Sequence, residues 1–373
     1  MCYLIVHNKK FSRLRKTKLS IERMKLGEEL EIEILLRLPT KSLSRFKCVQ
    51  KSWNNIIKSP YFATRRNRLL ILQNAPNMKF IFCDGGNDQK SIPIKSLFPQ
   101  DVARIEIYGS CDGVFCLKGI SSCITRHDQL ILWNPTTKEV HLIPRAPSLG
   151  NHYSDESLYG FGAVNDDFKV VKLNISNSNR MAKINSLLKA DIYDLSTKSW
   201  TPLVSHPPIT MVTRIQPSRY NTLVNGVYYW ITSSDGSDAA RILCFDFRDN
   251  QFRKLEAPKL GHYIPFFCDD VFEIKGYLGY VVQYRCRIVW LEIWTLEQNG
   301  WAKKYNIDTK MSIFHIYGLW NDGAEILVGE FGQRQLTSCD HHGNVLRQFQ
   351  LDTLENACFW YYEYVPSMAP LSK

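Results

Sequence analysis

No apolar run in this chain approaches the ~20 residues that cross a bilayer. The run nearest the start, Tyr3 to Val6, is too short for the apolar region of a secretion signal. The 11 cysteines are an odd number and contain no Cys-x-x-Cys pair, which argues against a disulfide framework; Cys339, His341 and His342 lack the second pair that zinc requires. Glycine and proline number 20 and 16, too few for a collagen-like or low-complexity chain. Also missing are a Gly-x-Ser-x-Gly elbow, a P-loop, a His-Glu-x-x-His helix and a dinucleotide fingerprint. We therefore expect a cytoplasmic protein with reduced, mostly buried thiols and with no metal, cofactor or catalytic residue, the nucleus being an additional location.

What is present is unevenly spread. The formal net charge is +11, yet residues 1–70 hold 17 Lys/Arg against 5 Asp/Glu, while the other 303 residues hold 30 against 31. The basic balance belongs to one small N-terminal module, which argues against a nucleic-acid footprint along the whole chain. Residues 1–25 read as a disordered basic lead, with Met24 a candidate start of the folded unit.

From Gly27 the pattern takes the helical period. Glu28, Glu29, Glu31 and Glu33 cluster where carboxylates oppose the positive end of a helix, and Ile32, Leu35, Leu36 and Leu38 give that helix an apolar side that Pro39 ends. Leu43, Phe46, Val49, Trp53, Ile56 and Ile57 continue at helical spacing through a second and a third helix, with a break expected near Ser52 and an end at Ser59-Pro60. A unit of three short helices buries too little surface to stand comfortably alone, so it should dock on something.

The run from Leu26 through Leu38-Pro39-Thr40 to Trp53, continuing to Ser59-Pro60-Tyr61-Phe62, resembles the F-box of plant F-box proteins. The resemblance implies binding to the Skp-type adaptor of a cullin-RING ubiquitin ligase, with Leu26, Pro39, Leu43, Val49 and Trp53 facing the adaptor. Packing of the module's own core is the alternative role for Leu43, Val49 and Trp53. Gly27 departs from the family, which has proline there to pre-set the first helical turn.

After Arg68 the period becomes that of strands. One unit recurs at Ile81-Phe-Cys-Asp84, Leu132-Trp-Asn134, Ile192-Tyr-Asp194, Cys244-Phe-Asp246, Ile293-Trp-Thr295 and Ser338-Cys-Asp340, with intervals of 50, 60, 52, 49 and 45 residues. A period near 50 is that of a kelch-like propeller. Between the copies lie hairpin turns at Asp112-Gly113, Asn165-Asp166, Asn225-Gly226, Lys275-Gly276 and Asn321-Asp322-Gly323. The missing strand is expected from Cys358 to Val365, paired with Leu69 to Leu72 to close the ring. The expected fold is mainly β with a small α module: a lead at 1–25, F-box helices at 26–66, a six-bladed propeller at 69–366 and a tail at 367–373. Five or seven blades are the alternatives, since the 60-residue interval contains an insertion around Asn174 to Ser186, read as a polar, basic loop.

The repeated aromatics Trp133, Tyr193, Trp200, Phe245, Trp294 and Trp301 are expected in the blade cores. Recognition is expected in the loops Pro147 to Ser157, Asn174 to Ser186, His206 to Tyr220, Ser233 to Ala239 and Lys259 to Asp270, whose composition suits a protein surface. Asp166, Asp167, Asp269 and Asp270 sit beside turn residues and are read as solvated carboxylates.

The propeller part also resembles the F-box-associated domain of plant F-box proteins, particularly the S-locus F-box and S-locus-like branch. The segments that carry this are Tyr108 to Leu117, Leu132 to Lys138, Tyr159-Gly-Phe-Gly162 with Asp167 to Val171, Ile192 to Trp200, Asn225 to Trp230 and Ile242 to Asp246. The resemblance implies a substrate-recognition subunit in which the propeller binds a target protein; for the S-locus branch that target is a pistil S-ribonuclease. The alternatives are a non-degradative scaffold that binds the adaptor and, less favoured by the motifs, a propeller enzyme.

Overall fold

The computed structural model describes residues 27–59, 62, 68–73, 78–83, 89–99, 102–121, 129–147, 156–179, 184–208, 211–212, 214–215, 222–233, 241–260, 267–285, 289–308, 313–320, 324–330, 335–350 and 359–371. Three helices come first: α1 (Glu28–Leu36), α2 (Thr40–Phe46) and α3 (Lys51–Lys58). Pro39 caps α2 in extended backbone (φ −58°, ψ 148°), so it ends one helical path and starts the next. The second break lies at Lys47 to Gln50 rather than near Ser52, which is the second residue of α3. Gln50 is extended (φ −148°, ψ 138°) and its side-chain amide donates to Ser52 Oγ at 2.6 Å. Beyond α3, Ser59 Oγ donates to the carbonyl of Ile56 (2.7 Å) and accepts the Phe62 N–H (3.2 Å), which turns Phe62 back under the helices. Leu35, Leu43, Ile56 and Phe62 form the buried cluster of this module, ringed by Ile32, Leu36, Leu38, Phe46, Trp53 and Ile57.

The described strands form six antiparallel sheets. Sheet 1 joins Arg68–Gln73, Lys79–Cys83 and Gln89–Pro93 to Phe359–Tyr364 from the far end of the chain. Sheet 2 holds Arg104–Cys111, Val114–Ile120, Gln129–Asn134 and Glu139–Ile143; sheet 3 holds Glu156–Val164, Asp167–Asn179, Ile184–Asp194 and Ser199–Pro202, with Met211–Val212 beside the third. Sheet 4 begins with a divided strand, Arg214–Ile215 and Leu223–Val224, followed by Val227–Ser233, Arg241–Asp246 and Gln251–Glu256. Sheet 5 holds Phe267–Ile274, Tyr277–Arg285, Val289–Glu297 and Gly300–Asp308, and sheet 6 Ile313–Trp320, Glu325–Glu330, Gln335–Cys339 and Val345–Gln350.

The first strand of sheet 2 touches Phe359–Tyr364 of sheet 1 and the first strand of sheet 3, and that of sheet 6 touches Phe359–Tyr364, the neighbour relations of a β-propeller. The expected ring closure is seen: Leu69 to Leu72 pair with Glu363 to Trp360, which removes two open edges. The fold is thus the mainly β one expected, a small α module followed by a propeller.

Local chemistry explains the repeat. Four hairpins turn on two consecutive residues of positive φ, Asp112-Gly113 (47°, 74°), Asn165-Asp166 (53°, 61°), Asn225-Gly226 (49°, 78°) and Lys275-Gly276 (50°, 80°), the geometry of a type I′ turn. In sheets 2, 4 and 6 the recurring Asp or Asn opens the other hairpin as an Asx turn. Asn134 Oδ1 accepts the Thr136 N–H at 2.9 Å, Asp246 Oδ1 that of Arg248 at 2.9 Å, and Asp340 Oδ1 that of His342 at 2.8 Å. Asp84 and Asn321-Asp322-Gly323 lie outside the described residues.

The aromatic repeat divides into two roles. Trp133, Tyr193 and Phe245 are buried as expected, Trp133 stacking on Phe80 of sheet 1 at 4.6 Å. Trp200, Trp294 and Trp301 are only partly buried. Trp200 Nε1 donates to the Pro144 carbonyl of sheet 2's exit (2.7 Å), and Trp301 Nε1 to the Glu256 carbonyl of sheet 4 (2.9 Å). These indoles tie each sheet to the one before it.

Candidate functional site: the helical module and the long-loop rim

The residues expected to face an adaptor separate into three groups. Leu26 lies outside the described residues. Pro39 is exposed, and Val49, just beyond α2, is 65% exposed, an isolated apolar side chain in water. Leu43 is 4% exposed and packs in the module's core. Trp53 is half-buried against Phe46, ring centroids 5.3 Å apart, and its indole N–H is enclosed without an acceptor.

Two surface residues escaped the sequence reading. Leu30 (55% exposed) and Ile34 (49%) stand one helical turn apart on α1, while Ile32, Leu35 and Leu36 pack inward. The signal was present: apolar residues at 30, 32, 34, 35 and 36 are more than one buried stripe of a nine-residue helix can take. Lys41, Arg45, Lys47, Lys51 and Lys58 are all exposed on α2, α3 and their connection. The module therefore offers apolar side chains amid positive charge, suited to an acidic protein surface with apolar pockets.

The ring has two unlike rims. In a four-stranded meander the first and third connections fall on one rim, and the second connection and the exit to the next sheet fall on the other. Here the first rim carries the tight turns, such as Asp112-Gly113, Asn225-Gly226 and Lys275-Gly276. All five connections expected to recognise a protein lie on the opposite rim. The chain enters the ring at Arg68, paired with Tyr364, where the last strand ends; both chain passages are on the tight-turn rim. Most residues of the five connections lie outside the described ones.

The insertion at Asn174 to Ser186 is not a loop where it is described. Asp167–Asn179 and Ile184–Asp194 pair from Asn179 with Ile184 to Asp194 with Lys169, so the blade hairpin is prolonged as a two-stranded ribbon on the long-loop rim. A segment of mixed polar residues is extended here because each strand satisfies the other's backbone.

The four carboxylates also differ from expectation in part. Asp166 is in a turn, and Asp167 opens a strand and accepts the Ser196 N–H (3.0 Å) and hydroxyl (2.6 Å). Asp269 and Asp270 sit in a strand rather than beside a turn, and Asp269 Oδ2 accepts the Tyr280 hydroxyl at 2.5 Å. Burial, then the Asp269 charge, pushes the Tyr280 phenol well up. Burial likewise raises the thiols of Cys111, Cys116, Cys244 (to about 12) and Cys339 (to about 11), so none is a ready nucleophile. Cys339 Sγ donates to the Ile326 carbonyl at 3.7 Å. Among the described residues no three His, Cys, Asp or Glu side chains gather as a metal site, and no helix is long and apolar enough to cross a membrane.

A three-helix module precedes a closed ring that the chain enters on the tight-turn rim, which makes this a β-propeller protein with a helical head. Residues 67–371 match the F-box associated beta propeller domain and residues 24–65 the F-box domain. The chain belongs to the family of F-box proteins with an F-box associated β-propeller. It is 28% identical over 328 residues to an F-box/kelch-repeat protein of Arabidopsis thaliana, covering 80% of this chain and 84% of that one. It is 29% identical over 307 residues to an F-box protein of the same plant, covering 74% and 73%. Among solved structures, a polysaccharide lyase (ulvan lyase) aligns at a TM-score of 0.46 with 12% identity, covering 73% of this chain and 72% of that one. That likeness is too low to carry a functional argument.

Proposed function

We propose that this protein is a non-catalytic substrate-recognition subunit of a cullin-RING ubiquitin ligase. The helical module binds a Skp-type adaptor, and through it cullin and the RING protein, while the propeller's long-loop rim holds a target protein. The observation that carries this reading is the opposition of the two rims: the chain from the docking head enters at Arg68 on the tight-turn rim, and every long connection lies across the ring from it. Such a bridge acts by proximity, raising the effective concentration of the target's lysines beside the charged ubiquitin enzyme.

The residues proposed at the adaptor are Leu26, Pro39, Val49 and Trp53, joined by the exposed Leu30 and Ile34, with Leu43 supporting them from the core. Capture of a purified Skp-type adaptor by the full chain should fall about tenfold or more for the double variant Leu30→Asp, Val49→Asp, with circular dichroism unchanged. Undiminished capture by the folded variant would overturn the assignment. A scaffold that binds the adaptor without degradation is separated by whether the bound target gains ubiquitin.

A narrower reading places the chain in the S-locus branch with a pistil S-ribonuclease as target. It is supported by the resemblance of Tyr108 to Leu117 and Tyr159 to Gly162 to that branch. Binding of the full chain to a panel of pistil ribonucleases tests it, and binding to none of them would end it.

A further inference from the structure

We propose that the target protein presents an acidic segment to a positive arc of the long-loop rim, built from Arg145, Lys189 and Lys259. This deepens the functional reading above and rests on it.

The arc places one exposed cation on each of three successive sheets. Arg145 follows the last strand of sheet 2, which ends at Ile143, and Lys259 follows that of sheet 4, which ends at Glu256. Lys189 lies between them in the third strand of sheet 3, where the ribbon gives way to the blade. Exits and third-strand starts fall on the long-loop rim of a meander, so all three cations share that rim. None of the three has an ion-pair partner among the described residues. Arg104, also exposed, opens the innermost strand of sheet 2 on the same rim.

The described carboxylates of this sector are turned inward and already engaged. Glu106 is largely buried and accepts from Arg104 (2.8 Å) and from the Tyr108 hydroxyl (2.9 Å). Asp191 is buried and accepts from the Asn174 amide at 3.2 Å. Among the described residues of the rim, the exposed carboxylates are Glu256, paired with Lys254 at 2.8 Å, and Asp308, beyond the arc on sheet 5. Residues 168–190 and 203–222 contain no Asp or Glu at all. Yet residues 71–373 together hold 30 Lys/Arg against 31 Asp/Glu, so the arc is charge sorted to one place on a neutral body. A long polyanion such as nucleic acid draws its affinity from a broad basic footprint, which a neutral body does not offer. A short acidic segment laid around the rim meets the arc alone.

The test uses the purified full chain with its adaptor and two fluorescent probes, a dodecapeptide of alternating Glu and Ser and an oligothymidylate of equal charge. Two triple variants make the same change in net charge on opposite rims. One is Arg145→Glu, Lys189→Glu, Lys259→Glu; the other is Lys138→Glu, Lys198→Glu, Lys275→Glu, three exposed lysines of the tight-turn rim. The basic head contributes equally to both, so their difference reports the rim. The arc variant should bind the acidic peptide about tenfold more weakly, and the control variant within about twofold of the unmodified chain, with adaptor capture and urea unfolding unchanged in each. Equal losses in the two variants, no loss in the arc variant, or no binding of the peptide by the unmodified chain would overturn the arc. So would an oligothymidylate held as tightly as the peptide and weakened as much by the arc variant, because nucleic acid would then fit the surface as well. If the arc fails while adaptor capture and target ubiquitination persist, the arc alone is lost; absence of adaptor capture by the unmodified chain would instead remove the functional reading beneath it.

Discussion

The side-chain amide of Asn134 donates to the carbonyl of Ala369 at 2.8 Å, across 235 positions of sequence. It also donates to the Ser367 carbonyl at 3.2 Å while its Oδ1 holds the Asx turn, so one repeat residue both shapes sheet 2 and clasps the end of the chain. Leu371 completes the clasp: its N–H donates to Glu139 Oε2 at 3.0 Å and its side chain is buried in the propeller core. The segment expected as a tail at 367–373 is therefore seated on the body as far as Leu371.

Asn134→Ala leaves the Ser367 and Ala369 carbonyls without their donor and should cost about 1–3 kcal/mol in urea unfolding. Truncation after Val365 removes the Leu371 side chain as well, worth about 1.5–3 kcal/mol of burial, and should destabilise further. A truncated chain as stable as the full one would show that the clasp is incidental.

Gly162 should not tolerate a methyl group. An added Cβ would lie 2.6 Å from the Phe247 ring, which is fully buried and cannot retreat, so Gly162→Ala should cost about 1–3 kcal/mol by overpacking. The double variant with Phe247→Leu should recover part of that loss, and two independent, additive losses would contradict the contact.

Turn chemistry and ring closure were legible because both are local or patterned. Asn225-Gly226 can hardly be anything but a tight hairpin, and the alternating aromatic run before Val365 needed one partner strand that Leu69 to Leu72 lacked. The ribbon was not legible, since Asn and Ser in a row read as loop until pairing with Ile184 to Leu187 satisfies their backbone. Nor was the core role of Leu43: a surface leucine and a buried one have the same helical spacing, and only packing against Leu35, Ile56 and Phe62 separates them. Asp269 misled for the same reason, its partner Tyr280 lying 11 residues further along on the next strand.

Stability should fall at both ends of the pH scale for identifiable reasons. The Arg248 guanidinium, paired with Asp246 through two bonds of 2.9 and 2.6 Å, holds that carboxyl below its usual range. Its contribution is present above the unfolded value of about 4 and is lost as pH falls further, so Asp246→Asn should flatten the acid limb of a stability profile. Tyr108, Tyr228, Tyr280 and Tyr284 are raised by burial, so their contribution is complete below about pH 10 and is lost as pH rises beyond it. Tyr280→Phe should make the alkaline limb shallower in urea titrations, and an unchanged slope would assign the alkaline loss to other groups.

Thiol chemistry gives the last prediction, because exposure separates one described cysteine from three buried ones. Cys48 is exposed at the end of α2, whereas Cys116, Cys244 and Cys339 are buried. Burial pushes the Cys244 thiol up to about 12 and that of Cys339 to about 11, and that of Cys116 higher still. Alkylation requires the thiolate and an open path to it. Iodoacetamide at about pH 7.5 should therefore label the peptide carrying Cys48 in the native protein, and label the other three at comparable rates only after denaturant is added. Peptide-resolved mass spectrometry reads this directly. Native labelling of Cys116 as fast as Cys48 would mean that sheet 2 opens readily in solution, against the tight packing of Val114, Cys116 and Leu132 in the central core.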